Sequence, residues 1–306
     1  CGIASVTVDG GSISMYFDCS SLGTNTVTLT VTDVNGNVST CDAEVTVEAN
    51  VDPTAICQDI TIQLDANGEA TIQSIDIDGG SDDNCGIASV TFDSGSTSMS
   101  FDCSDEGVNT ITLTVTAVNG NVSTCDAQVT IENNVVPNVL CQDITVYLDA
   151  YGEVNIIADD VNGGTNAACG IADLQVSPGD FDCSELGANT VTLSATDNSG
   201  NTSTCDAIVT VLDTISPIVL CQNITVQLDA NGEVIIQSMD IDGGSSDNCD
   251  IASITFDGGA TSTDFDCSSL GANTITLTVT DVNGNLSACE AIVTVEDNVD
   301  PVTLCQ

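Results

Sequence analysis

The 306-residue chain contains no lysine, no arginine and no histidine, against 46 aspartates and glutamates, so its formal charge at pH 7 is −46. It also lacks tryptophan, and aromatic residues make up only 3% of it. Each absence excludes something. Without a side-chain cation no salt bridge can form, and the chain must draw its counter-charge from dissolved ions, which makes it sensitive to ionic conditions. The same charge excludes nucleic acid and anionic membrane surfaces as partners. Trypsin has no site, and Lys–Asn isopeptide crosslinks cannot form. His and Lys, the usual carriers of proton transfer and Schiff-base chemistry, are missing. Carboxylate-only catalysis of the glycosidase kind stays formally open, but without Trp there is no platform for a sugar. The chain reads as a non-enzyme.

Cysteine, by contrast, is plentiful: sixteen residues, in a four-cysteine block that recurs along the chain. The spacings run 28, 18, 22 and 16 from Cys57 and again from Cys221, and 28, 14, 22 and 16 from Cys141, so one block has lost four residues between its second and third cysteines. The words around the cysteines recur as well, as in CQDITIQLDANGE at Cys57, CQDITVYLDAYGE at Cys141 and CQNITVQLDANGE at Cys221. A period of this size, about 84 residues, marks a tandem array of small similar domains. The modules are 1–53, a partial repeat lacking its first strands; 54–137; 138–217; 218–301; and 302–306, the start of a further repeat. The chain thus opens in mid-repeat at Cys1 and stops at Cys305-Gln306, and reads as a window on a longer chain with no visible signal peptide, transmembrane run or anchor. With no His and no CxxC pair, the cysteines read as disulfides formed in an oxidising, extracellular compartment and not as metal thiolates.

Between the cysteines lie short runs rich in Val, Ile and Thr that alternate apolar and polar and are bounded by Gly, Asn and Asp. Thr26 to Thr32 reads T-V-T-L-T-V-T, a half-buried strand with Val27, Leu29 and Val31 inward, and it leads through an Asn-Gly turn into a partner at Ala43 to Val47 as a β-hairpin. A second hairpin is expected around Asn67-Gly68 and Asn231-Gly232. About seven short strands per repeat predict an all-β fold of tandem immunoglobulin-like β-sandwiches. Linkers of four or five residues ending in Pro53, Pro137, Pro217 and Pro301 predict a stiff rod.

The motifs C-Q-D-I-T-V, S-D-D-N-C-G, F-D-C-S-x-L-G-x-N-T-V-T-L-T-V-T-D-x-N-G-N-x-S-T-C and V-T-V-x-D-x-x-x-P together resemble the hyalin repeat (HYR) and its immunoglobulin-like relatives, above all the tandem versions in large secreted surface proteins of Bacteroidetes-type bacteria. The resemblance covers essentially the whole chain. It implies an extracellular adhesive or structural array, in many cases exported by the type IX system, and it implies no ligand. The usual pattern has Phe-Pro-Val-Gly where this chain has Phe101-Asp102-Cys103 and its equivalents, so the added cysteine suggests a second bridge.

Four cysteines permit three pairings within a repeat. First to fourth is expected, because the first strand and the last are neighbours in such sandwiches, giving Cys57–Cys125, Cys141–Cys205 and Cys221–Cys289. Second to third then gives Cys1–Cys19, Cys85–Cys103, Cys169–Cys183 and Cys249–Cys267. Cys41 and Cys305 have no partner in this scheme; their mates lie in other repeats or in a neighbouring copy, Cys305 of one joined to Cys41 of the next.

Acidic loops are the candidates for ligand chemistry. Asp76, Asp78, Asp82 and Asp83 precede Cys85, and Asp240, Asp242 and Asp247 precede Cys249, at the end of the fold where the preceding linker enters, so calcium is the candidate cofactor. The same residues serve backbone turns. The acids also vary between repeats: Asp33 is replaced by Ala117, and linkers become Asn133-Asn134-Val135-Val136-Pro137 and Asp213-Thr214-Ile215-Ser216-Pro217. A diffuse cation requirement is therefore expected, without a metal at every junction. Sequons at Asn37, Asn121, Asn201, Asn223 and Asn285 belong mostly to the hairpin turns. The whole reads as a structural component of an extracellular bacterial filament, or else the stalk of an adhesin. Its expected partners are copies of itself, head to tail or lateral, and other cell-surface components.

Overall fold

The computed structural model describes residues 2–300. They divide into two compact units, Cys1–Val135 and Val136–Gln306, each taken by itself below.

The first unit begins with a three-stranded antiparallel sheet, β1 (Ile3–Val8), β2 (Gly23–Asp33) and β3 (Val38–Val47), in the order β1-β2-β3. A full repeat follows, with β4 (Ile60–Gln63), β5 (Glu69–Gln73), β6 (Ile87–Phe92), β7 (Ser98–Asp102), β8 (Gly107–Ala117) and β9 (Val122–Glu132). These make a sandwich: a four-stranded sheet in the order β4-β9-β8-β6 against the pair β5-β7. β4 runs parallel to β9, whereas β8 and β9 form an antiparallel hairpin. This mixture, with the opening strand laid beside the closing one, is the immunoglobulin-like arrangement.

The second unit repeats the plan twice. Its first sandwich contains β10 (Ile144–Tyr147), β11 (Glu153–Asn155), β12 (Ile171–Ser177), β13 (Asp180–Asp182), β14 (Gly187–Asp197) and β15 (Thr202–Leu212). The second contains β16 (Ile224–Gln227), β17 (Glu233–Gln237), β18 (Ile251–Phe256), β19 (Ser262–Asp266), β20 (Gly271–Asp281) and β21 (Leu286–Glu296). The sheets are ordered β10-β15-β14-β12 with β11-β13, and β16-β21-β20-β18 with β17-β19. The four residues missing from the third repeat shorten one connection, so that only Pro178 and Gly179 separate β12 from β13.

Period-two alternation fills each core. Leu193, Val191, Val209 and Val211 from β14 and β15, with Leu148 after β10 in the same sheet, meet Ile156 and Phe181 from the facing layer. In the next sandwich Leu277, Val293 and Val295 meet Leu228, Ile236 and Phe265. The Thr residues between these positions point outward, as a one-face-buried sheet requires.

Two expectations need correction. Each sandwich has six strands and not about seven, the extra edge contact being reduced to isolated bridges such as Cys57↔Asp78 and Cys141↔Asn162. The Asn67-Gly68 turn is tight, with Asp65 Oδ1 accepting from Asn67 N at 2.8 Å and Glu69 N at 3.0 Å. It joins no hairpin, however: β4 and β5 lie in different sheets, as do β16 and β17 around Asn231-Gly232. Leu64 before the turn and Ile72 after it are both buried, so the chain passes from one layer of the core to the other.

Candidate inter-repeat junction

Three cystines lie within sandwiches, Cys57–Cys125, Cys141–Cys205 and Cys221–Cys289, each joining the first cysteine, before the opening edge strand, to the fourth on the strand beside it. The second and third cysteines behave differently. Cys19 is bonded to Cys85 and Cys183 to Cys249, so the third cysteine of one repeat is joined to the second of the next. These bonds replace the expected Cys85–Cys103, Cys169–Cys183 and Cys249–Cys267, and they take Cys19 from the expected Cys1–Cys19. The reason is directional. The third cysteine sits in a short 3-10 turn after β7, β13 or β19, with its preceding Asp accepting from the next Ser N: Asp18 from Ser20 at 2.9 Å, Asp182 from Ser184 at 2.7 Å and Asp266 from Ser268 at 2.8 Å. At Cys19 and Cys183 that turn faces the loop that carries the next repeat's second cysteine. Cys41 and Cys267 are free and exposed; Cys1 and Cys305 lie outside the described residues.

Gly152 shows how closely the third and fourth repeats approach. It has φ 77°, and a Cβ there would lie 2.7 Å from Cys183 Sγ and 2.8 Å from Asn248 O. Hydrogen bonds complete the contact. Asn248 Nδ2 donates to Asp149 O (3.2 Å) and Asp213 Oδ1 (3.3 Å), and Asn285 Nδ2 donates to Asp213 O (3.3 Å). In the first unit Asn119 and Asn121 donate to the linker carbonyls of Ala49 (3.2 Å) and Val51 (2.9 Å) in the same way.

The acidic loops separate into two kinds. Asp76 and Asp240 accept from Gln73 N and Gln237 N at 2.7 Å and close the short turns that follow β5 and β17. Asp78 Oδ1 and Asp242 Oδ1 each accept from the backbone N and the hydroxyl of Ser81 or Ser245. Asp82 is bridged through its backbone to Thr54, and Asp83 Oδ1 accepts from Cys85 N at 2.8 Å. Among the described residues, Asp247 is the one expected metal residue that joins a group of three carboxylates, with Asp213 from the linker and Asp281 from the end of β20. One carboxylate oxygen from each of these three lies within 4.8 Å of the others. Burial pushes the Asp247 carboxyl above its ordinary value, and the charges of Asp281, Asp213 and Asp250 push the same way. Asp213 and Asp281 were missed because their equivalents change along the chain. The signal that was available was their coincidence in one junction.

No protein-family model matches the chain, and neither does the sequence of any characterised protein. Among solved structures it is similar to PcdhgB3 EC1-4, with 13% identity over 96% of this chain and 92% of that one and a TM-score of 0.34. It is similar also to Sidekick-1 immunoglobulin domains 1–5, with 10% identity over 96% and 74% and a TM-score of 0.35. The titin I-band fragment I67-I69 gives 11% identity over 90% and 94%, again with a TM-score of 0.35.

Proposed function

We propose that the chain is a structural segment of an extracellular fibre whose immunoglobulin-like repeats are stapled to one another by disulfides. The observation that carries this reading is the pair of inter-repeat bonds, Cys19–Cys85 and Cys183–Cys249. Each gives two successive repeats a second covalent path beside the linker peptide, so a cut or a pull at the linker does not part them. Such bonds persist in an oxidising compartment, which supports a location outside the cell, and the lack of Lys and Arg protects the chain further against trypsin-like proteases.

The free thiols extend the reading to assembly. Cys267 occupies the position of Cys19 and Cys183 and is exposed, so it is set to take the second cysteine of another repeat, in the same chain or in another copy. Cys41 is a fourth cysteine, whose counterparts all bond a first cysteine, and Cys305 of a second copy is such a residue by sequence. The hyalin-like resemblance and a bacterial surface origin accord with this role.

Electron microscopy of the native material with and without a thiol reductant tests the proposal. Continuous fibres that fall apart or soften on reduction are the expected result. Separate rods of finite length, unchanged by reductant, would contradict it and favour an adhesin stalk.

A further inference from the structure

We propose that Asp213, Asp247, Asp281 and the side-chain oxygen of Asn248 hold one calcium ion at the junction of the third and fourth repeats. The carboxylates come from three separate segments: the linker, the loop before Cys249 and the β20–β21 turn. A chain with no side-chain cation of its own brings them together, with one oxygen of each within 4.8 Å of the others. The cluster also carries an independent mark of a ligand. Asp213 is only 6% exposed and its Oδ2 is buried with no hydrogen-bond partner. Asp247 Oδ1 and Asn248 Oδ1 are buried and unpartnered as well. Buried oxygens of this kind are costly unless something pairs with them.

The remaining oxygens are tied down. Asp213 Oδ1 accepts from Ile215 N at 3.0 Å, and Asp247 Oδ2 from Cys249 N at 2.9 Å. Asp281 Oδ1 accepts from Asn283 N and Asn285 N, both at 2.8 Å, and its Oδ2 from Asn285 Nδ2 at 2.8 Å. These bonds orient the three carboxylates and leave Asp213 Oδ2, Asp247 Oδ1 and Asn248 Oδ1 unpartnered for a cation, to which Asp281 turns a remaining lone pair. The donors are all hard oxygens, which excludes a preference for soft metals. Three carboxylates and an amide oxygen, with water completing the shell, suit calcium with its six to eight oxygen ligands better than magnesium, which is bound through one or two carboxylates and keeps several waters.

The site belongs to this junction alone among those the sequence can be compared over. Counting back by repeat, Asp213, Asp247 and Asp281 correspond to Ala49, Asp83 and Ala117 in the first unit, and to Asn133, Ala167 and Asp197 in the intervening set. Each alternative set keeps a single carboxylate. Asp83 Oδ2, like the oxygens of the triad, is buried without a partner, so Asp83 supplies an internal control: an orphan oxygen without the other two acids.

The test is calorimetric titration of calcium chloride into the full chain, stripped with chelator, at about 0.15 M salt to screen diffuse binding, with magnesium chloride in parallel. One saturable calcium site is expected, with magnesium at least tenfold weaker. Asp213→Asn and Asp247→Asn should each abolish that site and the rise in melting temperature that calcium brings, while Asp83→Asn leaves both intact. Melting in chelator shows whether each variant folds: Asp247→Asn, which removes one of three mutually repelling charges, should melt no lower than the parent there. Absence of a saturable site, or a site untouched by Asp213→Asn and Asp247→Asn in variants that melt normally in chelator, would overturn the proposal and leave only a diffuse counter-ion cloud.

Discussion

Asp250 is the one non-glycine residue with positive φ among the described residues, at 87°, in a position that Gly86 and Gly170 fill in the preceding repeats at 91° and 87°. A side chain in this region costs about 1–2 kcal/mol, less for Asp than for most. Asp250→Gly should therefore raise stability by about 1 kcal/mol in chemical denaturation with chelator present, and a loss would show that Asp250 makes a contact of greater worth. Gly152 has the opposite sensitivity, because a methyl group there meets both Cys183 Sγ and the Asn248 carbonyl. Gly152→Ala should leave a larger fraction of Cys183 and Cys249 as free thiols after oxidative refolding, read by alkylation and mass. The turn aspartates set the acid limit. Backbone N–H donation from Glu69 and then Asn67 holds Asp65 below the ordinary 3.8, as Glu233 and Asn231 do for Asp229, and the backbone N–H of Ser184 does the same for Asp182. A carboxyl whose folded pKa is depressed stabilises above its unfolded value and loses that contribution as pH falls through the lower folded one. The stabilisation that these turn carboxylates give should thus be undiminished at pH about 4.5 and be lost only below 3.8, read as the difference in melting temperature between the parent and Asp65→Asn across pH; a difference already gone at pH about 5 would contradict this.

At the scale of elements, the hairpins were legible and the crossovers were not. Val27, Leu29 and Val31 alternate with Thr, the Asn-Gly turn follows, and β2–β3, β8–β9, β14–β15 and β20–β21 pair as that pattern requires. Asn67-Gly68 carries the same turn chemistry but links two layers, because a tight turn specifies local backbone and not which strand becomes a neighbour. The cystines divide similarly. Cys57, just before β4, is bonded to Cys125 of the adjacent strand β9, a relation the immunoglobulin-like order implies. Chain entropy could not identify Cys183–Cys249, since its loop of 66 residues resembles the 64 and 68 of the intra-sandwich bonds. A loop of that length is worth about 4 kcal/mol in the entropy model, more than the roughly 3 kcal/mol of a loop about 18 residues long. Replacing Cys141 and Cys205 by serine should destabilise the third repeat by about 2–5 kcal/mol, with the fourth, which keeps Cys221–Cys289, little changed. Equal loss in both would mean that the two unfold as one body.

For the whole molecule, the central point is that a module's period need not be the period of its crosslinks. The four-cysteine block invites a search for partners within about 84 residues of one domain, yet Cys19, Cys85, Cys183 and Cys249 each bond a cysteine of a neighbouring repeat. The metal residues follow the same logic: Asp247 was visible in its own loop, while Asp213 came from the preceding linker and Asp281 from a turn whose counterpart is Ala117. Both the crosslinks Cys19–Cys85 and Cys183–Cys249 and the proposed cation site lie where repeats meet. The most direct measurement is mass mapping of the non-reduced chain after cleavage at acidic residues, which trypsin's absence of sites makes necessary. The account predicts crosslinked peptides containing Cys183 with Cys249 and Cys19 with Cys85; peptides joining Cys169 to Cys183 and Cys249 to Cys267 would contradict it.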